Sequence, residues 1–153
     1  MKLNVNQWQN SLAKLIVEAL AEFRDRADDE MELFAVDCHP WNGVIVLAFL
    51  TESELKDSPF LSEVAEMAAW KYYDFGAGLA SWQPVSEIAS AMRTAYAVAG
   101  ENRQEVANQF LHGCAAAVVS KQVQDALSAF RLAKGFKVSI PHPDSGDEYY
   151  PPQ

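Results

Sequence analysis

Two cysteine–histidine pairs, Cys38-His39 and His112-Gly113-Cys114, supply the first residue types in this sequence that could do chemistry. Two thiols and two imidazoles would make a tetrahedral zinc ligand set. Their spacing works against it. Adjacent residues on a strand point to opposite faces, and residues two apart on a helix point about 200° apart. A nucleophilic thiol needs a nearby base and a lowered pKa. Asp37 beside Cys38 acts in the opposite direction, and Cys114 falls on an alanine-rich helical face. Both cysteines read as small buried hydrophobes in the reduced state. Both histidines read as surface imidazoles. No metal, no cofactor and no catalytic residue is assigned.

Two other segments have some features of ligand loops. Gly76-Ala77-Gly78 lacks the third glycine, preceding strand and following helix start of a dinucleotide fingerprint. It reads as a helix terminator. Asp144-Ser145-Gly146-Asp147-Glu148 gathers oxygens without the EF-hand spacing, so it reads as a solvated turn. The aromatic residues say more. Trp70, Tyr72, Tyr73, Phe75 and Trp82 fall within thirteen residues. Such a crowd is either core or the wall of a groove or partner surface, where Trp and Tyr are over-represented. Trp41 stands at a hairpin tip, where burial is hard, so an interface or a tertiary contact must account for it. Trp41, Trp70, Tyr73, Trp82 and the nearby Glu87 are the candidate binding residues.

The elements that must position these groups follow from periodicity. Trp8, Leu12, Leu15, Ile16, Ala19, Leu20 and Phe23 recur at helical spacing, which predicts a helix over 7–26 capped by Asn6. Strands are predicted over 31–38 and 44–50, joined through Asn42-Gly43, a strong hairpin signal. The second strand is apolar on both faces and therefore central. Thr51 to Glu54 has capping-box spacing, and Ser58-Pro59 signals a further helix start with a stripe of Phe60, Val64, Met67 and Ala68. Residues 72–84 read as a loop or short extended piece. Pro84 opens a helix stopped by Gly100, and Asn102 caps the next. Val106, Phe110, Cys114, Ala117 and Val118 share one face of it, whereas Val123, Leu127 and Phe130 fall on the opposite face. Either that helix breaks near Ser120 or both faces are buried. Lys134-Gly135 reads as its end, and Phe136, Val138 and Ile140 alternate as a last strand.

This order predicts an α+β fold: a small, mostly antiparallel sheet, made of the hairpin plus a C-terminal strand, packed against several helices. Without repeats, low-complexity tracts or linkers, residues 1–153 read as one domain with a loop-like tail over 141–153. A chain of this length can bury roughly 70% of its unfolded surface without a metal or disulfide. Twenty-one acids against twelve bases give a net charge of −9. That balance argues against nucleic acid and against an anionic membrane as partners; it suits a basic protein, but it also serves plain solubility, the commoner reason for an acidic domain. Residues 1–10 lack a signal-peptide core, and no apolar run is long enough to span a bilayer, so a cytoplasmic location is expected.

Several short pieces together, Phe34-Ala35, Thr51-Glu52, Trp82-Gln83-Pro84 with Glu87, Gly135-Phe136, and Asp144 with Glu148, give a layout that resembles the bacterial domain-of-unknown-function family numbered 4303. The match is spread over most of the chain. The resemblance implies a fold and no reaction. Small acidic immunity proteins, which block a toxin by binding it, offer an analogy. The residues favour a non-catalytic protein-binding domain. The alternative is a small-molecule-binding protein or enzyme with an aromatic-lined pocket near Trp82.

Overall fold

The computed structural model describes residues 4–152. Met1 to Leu3, part of the polar N-terminal stretch, and Gln153, the end of the tail, lie outside the described residues. The first helix, α1 (Val5–Arg24), begins two residues earlier than its apolar stripe suggests, because Asn4 rather than Asn6 caps it by accepting the Gln7 N–H at 3.2 Å. Its buried residues Leu12, Ile16, Leu20 and Phe23 keep the expected spacing.

Strands β1 (Met31–His39) and β2 (Val44–Thr51) form the expected antiparallel hairpin, with His39 opposite Val44. The four-residue loop 40–43 turns on Gly43, whose φ of +64° is the left-handed conformation that glycine tolerates best. Two further strands complete the sheet: β3 (Tyr72–Tyr73) and β4 (Leu132–Ser139), in the order β3-β2-β1-β4. Strand β2 is thus internal and buried on both faces, as its unbroken apolar run implies. Two of the three strand pairings are antiparallel; β4 runs parallel to β1. The last strand starts four residues earlier than its alternation suggests. The Arg131 carbonyl accepts the Met31 N–H at 2.7 Å, so sheet pairing captures the chain soon after the preceding helix, and Lys134-Gly135 lies in a strand irregularity rather than at a helix end.

Four more helices follow the hairpin: α2 (Glu52–Asp57), α3 (Val85–Val98), α4 (Arg103–Val119) and α5 (Lys121–Ser128). The break at Ser120, whose ψ is 148°, resolves the two-faced pattern: Phe110 and Cys114 point inward from α4, and Val123 and Leu127 from α5. The stretch after Ser58 departs from the expected α-helix. It forms 3-10 turns at Pro59–Ser62 and Val64–Ala69, separated by Glu63 in extended conformation. The Trp70 indole N–H donates to the Leu61 carbonyl at 2.6 Å and pins this strap. Only Met67 of the predicted stripe is buried; Phe60 and Val64 remain 54% and 38% exposed.

The two faces of the sheet are packed differently. Phe34, Val36, Cys38, Leu47 and Phe49 meet α1 and the later helices in the main core. Phe23, Phe49 and Phe75 stack there, with Phe23 and Phe75 centroids 4.2 Å apart. The other face carries Ala35, Ala48 and Leu50, covered by Met67 and Trp70 of the strap. Its corner is fixed by a capping box. Thr51 Oγ1 accepts the Glu54 N–H, while the Glu54 carboxylate accepts the N–H groups of Thr51 and, at 2.7 Å, Lys71. Over 141–152 the tail is loop-like, as expected, and it folds back. Pro141 bridges Glu148, whose carboxylate accepts the Ser139 hydroxyl and the Ile140 N–H. No helix among the described residues is long and apolar enough to cross a membrane.

Candidate functional site

A strand's two-residue period puts Leu33, Ala35, Asp37 and His39 on the strap-covered face of β1. Leu33 and Ala35 pack under the strap. Asp37 and His39 lie beyond its apolar cover, in a cleft of about 310 Å³. Val64, Ala65, Met67 and Ala68 form one wall, Pro143 to Gly146 of the folded-back tail form another, and Tyr73 closes the β3 side.

Asp37 is the hub. His39 donates Nε2–H to Asp37 Oδ1 at 2.8 Å, and Tyr73 donates its hydroxyl to Oδ2 at 2.9 Å. A carboxylate can only accept, so Nε2 must be the protonated imidazole nitrogen. The phenol reaches Asp37 from β3 across β2, where its cross-strand neighbour is Ala48, a side chain small enough to leave the path open.

The same contacts set the charges. Burial disfavours the Asp37 carboxylate, but the hydrogen bond and charge of His39, with the Tyr73 hydroxyl, outweigh it and hold its pKa below the usual range. The hydrogen bond to Asp37 raises the His39 pKa; burial opposes this, and the charges of Asp37 and Asp144 add to the rise. Burial, followed by the bond to Asp37, pushes the Tyr73 phenol up, so it stays a neutral donor. Among the described residues lining the cleft, His39 is the one group that can carry positive charge, and no lysine or arginine lines it. Such an array can hold a cation or hold and move a proton.

The five candidate residues are dispersed. Tyr73 belongs to the cleft, and Trp70 lies in the small core beside it. Trp41 is half-buried in the hairpin loop, its ring 5.9 Å from His39, 6.2 Å from Tyr96 and 5.8 Å from His142. A tertiary contact thus accounts for it. Trp82 is buried in the main core, and a Cβ on Gly76 would come within 2.4 Å of its ring, so that glycine makes room for the indole. The indole is thus part of the main core. Glu87 is exposed in the first turn of α3.

From the sequence, Asp37 reads only as a neighbour of Cys38, and His39 as a surface imidazole rather than a metal ligand. The Asp-x-His spacing at a strand end was the available signal, since residues two apart share a face. Cys38 points the other way, into the core. There the Cys114 thiol, burial and the nearby Asp37 charge push its pKa well above the ordinary thiol value. Its Sγ lies 3.6 Å from Met92 Sδ. Among the described residues no three His, Cys, Asp or Glu side chains cluster so as to hold a metal.

A second hollow lies at the opposite end of the strap face, between Glu30, Glu52, Lys56 and Gly135. Three of its charged groups interact: Lys56 bridges Glu52 at 2.9 Å, and the Glu52 carboxylate raises the pKa of Glu30. No family model, curated protein or solved structure matches the chain, so the resemblance to family 4303 is carried by the chain's own residues alone.

Proposed function

We propose that this protein is a non-catalytic protein-binding domain, and that the strap face of its sheet is the contact surface. One observation carries the reading: Phe60 and Val64 stand exposed on the strap, and Val64 also lines a cleft holding Asp37 and Asp144. Exposed apolar side chains rimmed by charge are characteristic of interaction sites. Glu63 and Glu66 on the same strap and the net charge of −9 add a field that steers a basic partner. An immunity-like role, in which an acidic protein caps a basic toxin, fits this chemistry by analogy only. The test is affinity purification from the native host with wild type, Phe60→Ala and Asp37→Asn, followed by binding of the identified partner in purified form. The expected partner is basic, binds more weakly as salt rises and loses affinity to both variants. A partner indifferent to both variants refutes the reading.

The Asp37–His39–Tyr73 array favours one second reading, a small-molecule-binding protein or enzyme in which Asp37 orients His39 as a general base. In this reading the chemistry takes place in the cleft at Asp37 and His39. A metabolite screen yielding turnover that His39→Gln abolishes would favour it.

A further inference from the structure

We propose that the cleft receives one lysine or arginine side chain of a protein partner, and that this cation competes with the proton on His39. The inference rests on the protein-binding reading and names what the surface recognises. About 310 Å³ is at the small end of ligand pockets and suits a single side chain. The wall of Val64, Ala65, Met67 and Ala68 matches an aliphatic stem. The polar groups match a cationic head. Each Asp37 oxygen spends one acceptor site on His39 or Tyr73, and a carboxylate has about four in all.

His39 decides whether those remaining sites see a cation. Its Nε2–H is committed to Asp37, so the proton it loses on becoming neutral is the one on Nδ1. Protonated, the ring neutralises Asp37 and offers no acceptor. Neutral, it keeps Asp37 in place, adds Nδ1 as an acceptor and leaves the cleft negative. The groups around it are Asp37 on its own strand, Tyr73 on β3, Asp144 on the tail and the Trp41 ring, with His142 beyond that ring. Glu63 and Glu66 flank Val64 on the strap. None of these supplies a competing permanent cation. Cation binding and protonation are then linked, and each weakens the other by the same factor.

The test uses the full chain with acetyl-Gly-Lys-Gly-amide as probe and acetyl-Gly-norleucine-Gly-amide as uncharged control. Ring NMR of His39 is followed between about pH 5 and pH 9. The lysine probe is expected to lower the His39 titration midpoint. Its affinity is expected to rise about tenfold per pH unit below the midpoint and level off above it. His39→Gln should bind without that slope, and Asp37→Asn should lose binding. Asp144→Asn, on the exposed loop, should weaken binding severalfold even if Asp37→Asn does not fold. An unmoved midpoint, or equal binding of the norleucine control, overturns the proposal. A purified partner whose pH slope is the same for wild type and His39→Gln removes the proton competition while the interface stands. A lysine probe that shifts His39 while the identified partner ignores the cleft overturns the assignment of the cleft to a partner's side chain and leaves only a proton-linked cation site.

Discussion

The two faces of one sheet were built by different rules. On the helix face, β1 and β2 present Phe34, Val36, Leu47 and Phe49 to three long helices, and no polar side chain interrupts them. On the strap face, the same strands present Ala35 and Ala48, then Asp37 and His39, to short 3-10 turns that leave Phe60 and Val64 in solvent. Large apolar side chains under helices make a stable platform. Small ones under a thin strap leave space, and β1 puts a hydrogen-bonded charge beside that space. The proposed contact surface lies on the less well-covered face, and the larger core lies on the other.

That contrast is broken most strongly by removing packing from the helix face. Phe49→Ala should cost about 3–5 kcal/mol, the range for deleting a buried aromatic, and should lower the denaturant midpoint of the whole chain. Trp41→Ala removes a half-buried ring that joins the hairpin loop, α3 and the tail, and should cost about 2 kcal/mol. This differs from what a hairpin-tip position alone implies, where the change would leave the fold unaffected. On the strap, Trp70→Phe keeps most of the ring but deletes the N–H donated to Leu61. It should cost about 1 kcal/mol and show itself as faster amide exchange over 59–70, with the main core unchanged. Equal exchange changes on both faces would mean that the strap is as integral as the helices.

The helix face was legible in the sequence because repetition encodes it. The α1 stripe, the doubly apolar β2 and the Asn42-Gly43 turn each carry a periodic or compositional signal, and the α+β class followed from their order. The strap was less legible. Its apolar residues have helical spacing, but Trp70 captures the Leu61 carbonyl from nine residues away, and a tertiary bond of that kind leaves no periodic trace. The parallel docking of β4 depends on a distant partner, Arg131 with Met31, and the folding back of the tail on a side-chain contact eight residues away, Glu148 with Ile140. Of the five candidate binding residues, only Tyr73 lines the cleft. Aromatic density marks both cores and surfaces, so it drew attention to Trp82, which packing explains. The cleft is assembled from β1, β3, the strap and the tail, short runs that are far apart in sequence, and of its hydrogen-bonded groups Asp37 and His39 are close in sequence while Tyr73 is not.

The smallest expected effect concerns the charge pair itself. His39 has its folded pKa raised, so its contribution to stability is complete below the unfolded value of about 6.5 and is lost as pH rises through the folded value. Asp37 has its folded pKa lowered, so its contribution is complete above about 3.9 and is lost as pH falls through the lowered value. The pair therefore stabilises the fold most between about pH 4 and pH 6.5. Because both side chains keep some contact with water, the effect should stay below about 1 kcal/mol. Denaturant midpoints of wild type and His39→Gln, measured across this range, should differ by a constant amount in the window and converge above it. Cation binding should follow the opposite course, since it gains from the same deprotonation that costs the fold its ion pair. Stability and binding that rise together with pH would mean that the His39 proton is not what links them.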